Sequence, residues 1–267
     1  MFDSHCHLYS DPLYQNLDNI IAKTKEVSVN YLVVPGVDYK TSITSTEISN
    51  CYENTYAAVG IHPTTLINEE DIEKELFKIE GLISREKVVA IGEIGLDYYH
   101  KINSELVQKI LLEKQLKLAL KYDKAVIIHS RHSTDDIIII LKKLGLDNFK
   151  NSLVFHCAEP EKDILDLVKE NDLFIGIDGD ITFDNVKQEF IKRVPLSNLV
   201  LETDSPYLAP TMNGIKDREK INYPYYLPQI AKKVSELKDI NLSSVIKKTT
   251  ENALLLFGVS SGYNKIC

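Results

Sequence analysis

Short runs of apolar residues recur along the chain, and longer stretches with a helical pattern separate them. The runs lie at Met1–His7, Tyr31–Pro35, Tyr56–Ile61, Val88–Gly92, Ala125–Ile128, Leu153–Phe155, Leu173–Ile177 and Leu199–Leu201. Most of their residues are β-branched, aromatic or otherwise apolar, which is typical of strands buried on both faces of a parallel sheet. The pattern therefore predicts eight parallel strands.

Between the runs, apolar residues fall on one side of a helix. Two stretches show this spacing, namely Val107, Ile110, Leu111 and Leu118, and Leu227, Ile230, Ala231, Val234 and Leu237. A last helix is predicted over Leu242–Phe257, ending at Gly258. Strands that alternate with helices predict an α/β fold, a (βα)8 TIM-type barrel in a single domain over residues 1–267. An open, doubly wound sheet is the alternative that this periodicity does not exclude.

The composition is that of an ordinary globular protein, with 44% hydrophobic and 26% charged residues. The formal net charge is −8, so the chain as a whole repels the phosphates of a nucleic acid at long range. A nucleic-acid substrate would therefore have to be held locally or through bound metal ions.

The cysteines indicate the compartment. Cys6, Cys51, Cys157 and Cys267 form no CxxC pair and show no disulfide spacing, so we expect free thiols. The N-terminus has no basic segment followed by an apolar stretch, and no apolar run has the length of a membrane helix. We therefore expect a cytoplasmic protein that makes no contact with a membrane.

Residue types that bind metals cluster at the predicted strand ends. They are His5, His7, Glu93, His129, His156 and Asp204, at the carboxyl ends of five strands. In a barrel these ends converge on one face, where active sites are built. A single histidine at a strand end is usually an ordinary polar residue, but chance would rarely place all of these together.

Imidazole and carboxylate ligands suit a borderline divalent ion such as zinc, manganese or cobalt. Six candidate ligands exceed the needs of one tetrahedral site. Glu93 is the natural bridge, because each of its two oxygens can hold one ion. A pair of divalent ions fits phosphodiester hydrolysis and would also serve ester or amide hydrolysis. The sequence thus predicts two divalent metal ions per chain, with magnesium, manganese or zinc as candidates.

Other polar residues have weaker signals. His62 is predicted to face the substrate or to support a ligand rather than to bind a metal ion itself, with an ordinary turn residue as the alternative. Arg131 is a candidate phosphate clamp, and a surface ion pair is the alternative. Asp97 either orients a histidine or caps a helix. We expect His100 and His132 to be solvated surface histidines. Lys216, Arg218 and Lys220 form a basic stretch in a long loop, which is either solvated or in contact with substrate.

The ordered set of motifs resembles the TatD family of metal-dependent deoxyribonucleases, within the amidohydrolase-like, metallo-dependent hydrolase barrels. The matching segments are Asp3-Ser4-His5-Cys6-His7, Gly60-Ile61-His62-Pro63, Gly92-Glu93-Ile94-Gly95-Leu96-Asp97-Tyr98-Tyr99, His129-Ser130-Arg131, Phe155-His156-Cys157, Glu202-Thr203-Asp204-Ser205-Pro206-Tyr207-Leu208 and Thr250-Glu251-Asn252. The first of these occurs in many amidohydrolases, whereas the ordered set is strongly specific.

The resemblance implies that His5, His7 and Asp204 bind one metal ion and that His129 and His156 bind the other. Glu93 would bridge the two ions. It also implies cleavage of DNA from an end, with magnesium or manganese as commonly effective metals, and an association with the hydrolysis of aminoacyl-tRNA esters.

We therefore expect a DNA substrate that is single-stranded or has an accessible end, and no obligate protein partner. Asp204 is the expected general base, and Glu93 is expected to be essential for turnover.

Two positions depart from the family pattern. After His156 the family usually has Cys-Phe-Ser-Gly, and this chain has Cys157-Ala158-Glu159-Pro160. In the last loop the family usually has Asn-Glu-Pro, and this chain has Asn222-Tyr223-Pro224. Neither change removes a candidate ligand, and Asn222 is expected to contact substrate. Glu159 would bring a negative charge near a phosphate, so the departures alter the walls of the site rather than the metal centre.

Alternatives remain at this point. A D-aminoacyl-tRNA deacylase or another esterase could use the same residues, whereas many lactonases and cyclic amidases bridge their ions with a carboxylated lysine rather than a glutamate. A mononuclear zinc hydrolase would bind one ion per chain. A non-catalytic, metal-dependent binding module would show no turnover with any metal.

Overall fold

The computed structural model describes residues 1–211 and 220–260 of the chain. Eight parallel strands form one sheet in which each strand pairs with the next in chain order. They are β1 (Phe2–Asp3), β2 (Tyr31–Pro35), β3 (Thr55–Val59), β4 (Val88–Asp97), β5 (Ala125–Arg131), β6 (Leu153–Phe155), β7 (Phe174–Ile177) and β8 (Leu199–Leu201). The predicted number and parallel direction of the strands are confirmed.

Helices connect the strands and form the outer layer. They are α1 (Leu17–Glu26), α2 (Tyr39–Cys51), α3 (Ile72–Ile83), α4 (Glu105–Lys121), α5 (Thr134–Leu144), α6 (Lys162–Glu170), α7 (Asn185–Arg193), α8 (Leu227–Lys238) and α9 (Leu242–Leu256). The stripe predicted on α8 is buried at Leu227, Ile230, Ala231 and Val234. None of the helices in residues 1–211 and 220–260 combines the length and the apolar character that a membrane crossing requires.

The two ends of the sheet meet between the segments that follow β1 and β8. Ser4 N donates to Leu201 O at 3.0 Å, Asp204 N to His5 O at 2.8 Å, and His7 N to Ser205 O at 2.7 Å. These hydrogen bonds close the sheet into a barrel. The structure thus confirms the (βα)8 barrel and excludes the open, doubly wound sheet, which would leave two free edge strands.

The core has two parts because successive strand residues point to opposite faces. Leu32 and Val34 of β2 pack with the surrounding helices. Val33, between them, belongs to a separate cluster that we place inside the barrel. Phe2 in this cluster stacks on Phe257, which directly follows α9, with ring centroids 5.6 Å apart. The end of α9 therefore packs against the start of β1, at the amino-terminal end of the barrel.

Two strands are longer than their apolar runs indicated. β4 extends through Asp97 and β5 through Arg131, with Gly95 opposite His129 in the register. Glu93 and His129 therefore lie within strands rather than just after them, which corrects the expected bounds. At Glu93 the pairing with β5 is interrupted, and Glu93 N donates instead to Gly36 O at 2.9 Å.

Gly95 should be required for this pairing. A Cβ atom at this position would lie 1.9 Å from the carbonyl oxygen of His129. We expect Gly95→Ala to lower the free energy of unfolding by about 3 kcal/mol, because β4 and β5 would have to separate. The measurement is urea unfolding followed by circular dichroism.

Gly81→Ala in α3 is the matched control, since a Cβ atom there meets nothing within 4 Å. It should raise the free energy of unfolding by about 0.5–1 kcal/mol through helix propensity. Equal effects of the two substitutions would contradict the packing argument.

Candidate metal centre

The first group of candidate ligands lies where the barrel closes. His5 and His7 follow β1, and their Nε2 atoms are 3.1 Å apart. Asp204 follows β8, and its Oδ1 lies 3.2 Å from Nε2 of His7 and 3.8 Å from Nε2 of His5. All three residues are buried. The hydrogen bonds that close the barrel thus also bring these ligand atoms together.

Glu93 stands in the middle of the centre and faces two different sets of histidines. Its Oε2 lies 3.4 Å from Nε2 of His5 and 3.8 Å from Nε2 of His7. Its Oε1 lies 3.1 Å from Nδ1 of His129 and 3.3 Å from Nε2 of His62. A carboxylate in this position can serve both sets at once.

His156 lies between the two sets. Its ring stacks on that of His5 with centroids 3.6 Å apart. Its Nε2 is 3.9 Å from Oε1 of Glu93 and 3.8 Å from Oδ1 of Asp204. On the other side of the ring, Nδ1 is 2.9 Å from Oε1 of Glu202, as an ion pair rather than a well-aligned hydrogen bond. Glu202 thereby directs Nε2 of His156 into the centre.

Glu202 itself is fully buried and held in place by its neighbours. It accepts hydrogen bonds from Cys157 N at 2.7 Å and from Ser4 Oγ at 3.2 Å. Its carboxylate occupies space left by Gly176 of β7, where a Cβ atom would lie 2.4 Å away. Glu202 belongs to the Glu202–Leu208 motif, but no role was predicted for it. A carboxylate directly after a buried strand was the signal.

Asp97 holds His129 from the side away from Glu93. Its Oδ2 is 3.1 Å from Nε2 of His129 and 2.8 Å from Nδ1 of His100. Of the two roles considered for Asp97, the structure shows the orientation of histidines. It also accepts hydrogen bonds from the backbone N–H groups of Tyr99 and His100, at 3.0 and 2.7 Å.

The structure adds one residue to the ligand sets that the resemblance implied. His5, His7 and Asp204 lie together as expected. His129 and His156 both face Oε1 of Glu93, at 3.1 and 3.9 Å, and His62 groups with Glu93 and His129. His62 was expected to face the substrate. Its Nε2 points at Glu93, so His62 joins the candidate ligands.

The donor atoms fit a borderline divalent cation. Burial alone would raise the pKa of the Glu93 carboxyl, but His62, His156 and His5 hold it well below its usual range. Burial lowers the pKa of His5 and that of His62. An ionised carboxylate and imidazole nitrogens that converge at close range, those of His5 and His62 favoured in the neutral form by burial, are the ligands that zinc, manganese and cobalt accept. The residues present therefore suit a bound metal.

Besides His62, two residues were expected to touch substrate, and they have different positions. Arg131 is exposed, and its guanidinium carbon lies 4.4 Å from the centroid of the Tyr99 ring. Asn222 is fully buried, and its side-chain amide donates to Thr203 O at 2.6 Å and to Tyr207 O at 2.7 Å. Both of its amide hydrogens are thus used by the backbone, so we correct its assignment from substrate binding to loop structure.

The positions that depart from the family pattern also find partners. Glu159 accepts a hydrogen bond from His132 N at 3.0 Å, which offsets part of its negative charge. The ring of Tyr223 stacks on that of Tyr225 with centroids 4.8 Å apart. Lys220 donates to Pro210 O at 2.8 Å. Lys216 and Arg218, the other members of the basic stretch, lie outside the described residues.

A second cluster of charged residues lies next to the centre and was not anticipated. Cys157, Asp178 and Asp180 bring their ligand-type atoms within 4.8 Å of one another. The ammonium of Lys187 bonds Asp180 and lies 3.8 Å from Oδ2 of Asp178 and 3.3 Å from Sγ of Cys157. A protein cation thus already neutralises this cluster. The signal in the sequence was the pair of aspartates around Gly179, immediately after β7.

Removal of the Lys187 charge should destabilise the fold. We expect Lys187→Met to lower the free energy of unfolding by about 3 kcal/mol, because two buried carboxylates would lose their cation. Lys192→Met is the control on the same helix, since Lys192 is exposed and pairs with Glu189 in solvent. Urea unfolding at neutral pH checks the difference, and similar effects of both substitutions would show that the buried cluster contributes little.

Metal affinity should rise with pH. Burial by itself would lower the pKa of His156, but Glu202, Glu93 and Asp204 raise it to about 10 in the metal-free protein. The imidazole therefore carries a proton at neutral pH, and a metal ion must displace that proton in order to bind. Affinity should increase by about tenfold per pH unit for each proton released.

Isothermal titration calorimetry in buffers of different ionisation enthalpy counts the protons released. A metal affinity that is the same at slightly acid and slightly alkaline pH would contradict the protonation of the centre.

The chain resembles proteins of one family over nearly its whole length. The sequence profile described as TatD related DNase matches residues 2–258. YabD of Bacillus subtilis strain 168, described as a metal-dependent hydrolase, is 33% identical over 262 residues, which are 97% of this chain and 100% of YabD. YcfH of Escherichia coli K12 has the same description and is 27% identical, over 98% of this chain and 97% of YcfH.

Two crystal structures share the architecture. YjjV, a TatD homolog from Escherichia coli K12, superposes with a TM-score of 0.88 at 27% identity, covering 97% of this chain and 98% of YjjV. A TatD family hydrolase from Entamoeba histolytica superposes with a TM-score of 0.85 over 97% and 98% of the two chains, and at 21% identity this likeness shows the fold alone. From the profile and the relatives together, this chain belongs to the TatD-related DNase family and is a metal-dependent hydrolase.

Proposed function

We propose that this protein is a deoxyribonuclease that removes nucleotides from an accessible end of single-stranded DNA. The observation that carries the proposal is the position of Glu93, whose two oxygens face different sets of histidine nitrogens in a buried centre. Two divalent ions, when bound, lower the pKa of water toward neutrality and stabilise the charge on a departing oxygen. That chemistry suits a phosphodiester.

The proposed ligand sets follow the distances. His5, His7 and Asp204 would hold one ion, and His129 and His156, joined by His62, would hold the other. Glu93 would contact both ions, because its two carboxylate oxygens face the two sets. We propose magnesium, manganese or zinc as the metals in use.

Asp204 is the proposed proton acceptor. Its side chain is 12% exposed, compared with 5% for that of Glu93, so it is the more accessible of the two carboxylates to water. A positioned carboxylate that reaches solvent can take the proton of an attacking water as general base. Glu93, which is more enclosed by imidazoles, would bind the metal ions and would not exchange protons with water.

The surroundings keep these side chains in place during the reaction. Asp97 fixes the ring of His129, and Glu202 fixes that of His156. Carboxylates behind ligand histidines commonly set their orientation and raise their basicity. We further propose that the protein acts in the cytoplasm and without an obligate partner, in keeping with the free thiols of Cys6, Cys51 and Cys157.

The test is hydrolysis of end-labelled single-stranded DNA by metal-stripped protein to which manganese, magnesium or zinc is returned. We expect stepwise shortening from one end that depends on the metal. Glu93→Gln and Asp204→Asn should each reduce the rate by roughly 10²–10⁴-fold, the range expected when a catalytic group is lost.

Glu86→Gln is the matched control, because Glu86 is an exposed carboxylate that shortly precedes the strand carrying Glu93. It should retain the full rate, which shows that preparing a variant does not by itself abolish activity, so that the loss in Glu93→Gln excludes a contaminating nuclease as the source of cleavage. If folded, metal-loaded protein cleaved no DNA but released the amino acid from D-aminoacyl-tRNA, the nuclease proposal would be wrong and the esterase alternative would replace it.

A further inference from the structure

A group of exposed cationic and aromatic side chains lies beside the metal centre. Its members are Tyr99, His100, Lys101, Arg131 and His132, which we call the rim platform. They follow Asp97, the last residue of β4, or lie at and just after the end of β5. In a chain with a net charge of −8, positive side chains concentrated at the edge of the active face indicate a negatively charged partner at this place.

Tyr99 and Arg131 form the centre of the rim platform. The Tyr99 side chain is one of the most accessible aromatic groups, with 56% of the residue exposed, and Arg131 covers one face of its ring at 4.4 Å. The rings of His100 and His132 meet the Tyr99 ring edge-on, with centroids 5.0 and 5.6 Å away.

Arg131 is available to a ligand. Within 4 Å of its guanidinium, the parts of the chain that the structure describes place no carboxylate. Two acidic residues contact the histidines of the rim platform. Asp97 lies 2.8 Å from Nδ1 of His100. Glu159 accepts a hydrogen bond from His132 N and lies 3.9 Å from Nε2 of the same residue. Glu159 thus binds His132 and leaves the guanidinium of Arg131 free to bind an anion.

Asp97 connects the rim platform rigidly to the metal centre. It is 1% exposed and binds His129 with one side of its carboxylate group while holding Tyr99 and His100 through their backbone N–H groups. Because Tyr99 follows Asp97 by two residues, their Cα atoms are at most roughly 7 Å apart. When one unit of a polymeric substrate is bound at the centre, the next unit along the polymer therefore reaches the rim platform.

We propose that the rim platform binds an unpaired nucleobase and the phosphate beside it, next to the nucleotide that is hydrolysed. The planes of Tyr99 and Arg131 are the two kinds of surface on which unstacked bases lie. The guanidinium fork also matches phosphate oxygens. This inference rests on the proposed nuclease function and adds the reason for single-stranded DNA, since bases in a duplex are already stacked on each other.

The test compares Tyr99→Leu with Tyr99→Phe, which keeps a stacking face. On a short single-stranded oligonucleotide, Tyr99→Leu should raise KM about 10-fold, as expected for the loss of one base–aromatic stack, and leave kcat nearly unchanged. Tyr99→Phe should behave as the unchanged protein does. Phe77→Leu is the control, because Phe77 is an exposed aromatic residue on the outer helix α3.

A second comparison locates the effect. All variants should hydrolyse methyl p-nitrophenyl phosphate, a phosphodiester without a nucleobase, with the same kcat/KM. An oligonucleotide with an abasic unit beside the cleaved nucleotide should be a poorer substrate for the unchanged protein. The Tyr99→Leu variant should hydrolyse the abasic and the unmodified oligonucleotide with the same kcat/KM, because the substitution and the abasic unit remove the same contact.

Binding is measured separately, by fluorescence anisotropy of a labelled oligonucleotide with phosphorothioate linkages on metal-loaded protein. Tyr99→Leu should weaken binding about 10-fold. If Tyr99→Leu and Phe77→Leu bound and hydrolysed the oligonucleotide equally well, the rim platform would not be a base site and the nuclease function would stand. If no phosphodiester were hydrolysed but Tyr99→Leu still weakened binding, the nuclease proposal would fail and the base site would stand.

Discussion

The arrangement of the whole active face depends on one buried carboxylate, that of Glu93. An ionised group removed from water is costly unless charged or polar partners surround it. Here imidazoles surround it on both sides, and their orientation depends in turn on further carboxylates, Asp97 behind His129 and Glu202 behind His156. The polar half of the barrel interior is therefore a network in which each group holds the next. Such networks are rigid when every member has its partner, and a metal centre needs this property.

The balance of charges around this network is compatible with the proposed action of an acidic protein on an anionic polymer. The cluster next to the centre is neutralised internally, because Lys187 lies among Asp178, Asp180 and Cys157. Beyond the ends of β4 and β5, positive side chains remain open to solvent near Asp97. Charges that are buried and paired act over short distances only, whereas an exposed guanidinium attracts phosphate at the surface. The net charge of the whole chain thus does not determine the electrostatic potential at its active face.

Much of the fold follows from local patterns in the sequence, and the exceptions have physical causes. The runs at Tyr31–Pro35, Leu153–Phe155 and Leu199–Leu201 coincide with strands, because a strand buried on both faces is apolar throughout. The ends of β4 and β5 were missed, because their last residues turn polar where the barrel interior becomes the active face.

For the site, residue types at strand ends indicated every ligand candidate except His62, which had been placed at the right level but given another role. The sequence does not show which imidazole nitrogen faces which carboxylate oxygen. Asn222 illustrates the limit, since only the structure shows its amide bound to two backbone carbonyls. The contact of Arg131 with Tyr99 likewise joins the end of β5 to the segment after β4, so no local sequence pattern predicts it.

The closure of the barrel by the ligand segments has a consequence for biosynthesis. His5 and His7 are synthesised before their partner Asp204, which follows about 200 residues later in the chain. Until then the hydrogen bonds from Asp204 N to His5 O and from His7 N to Ser205 O cannot form. A nascent chain therefore lacks the complete centre until Asp204 has been added and the barrel has closed.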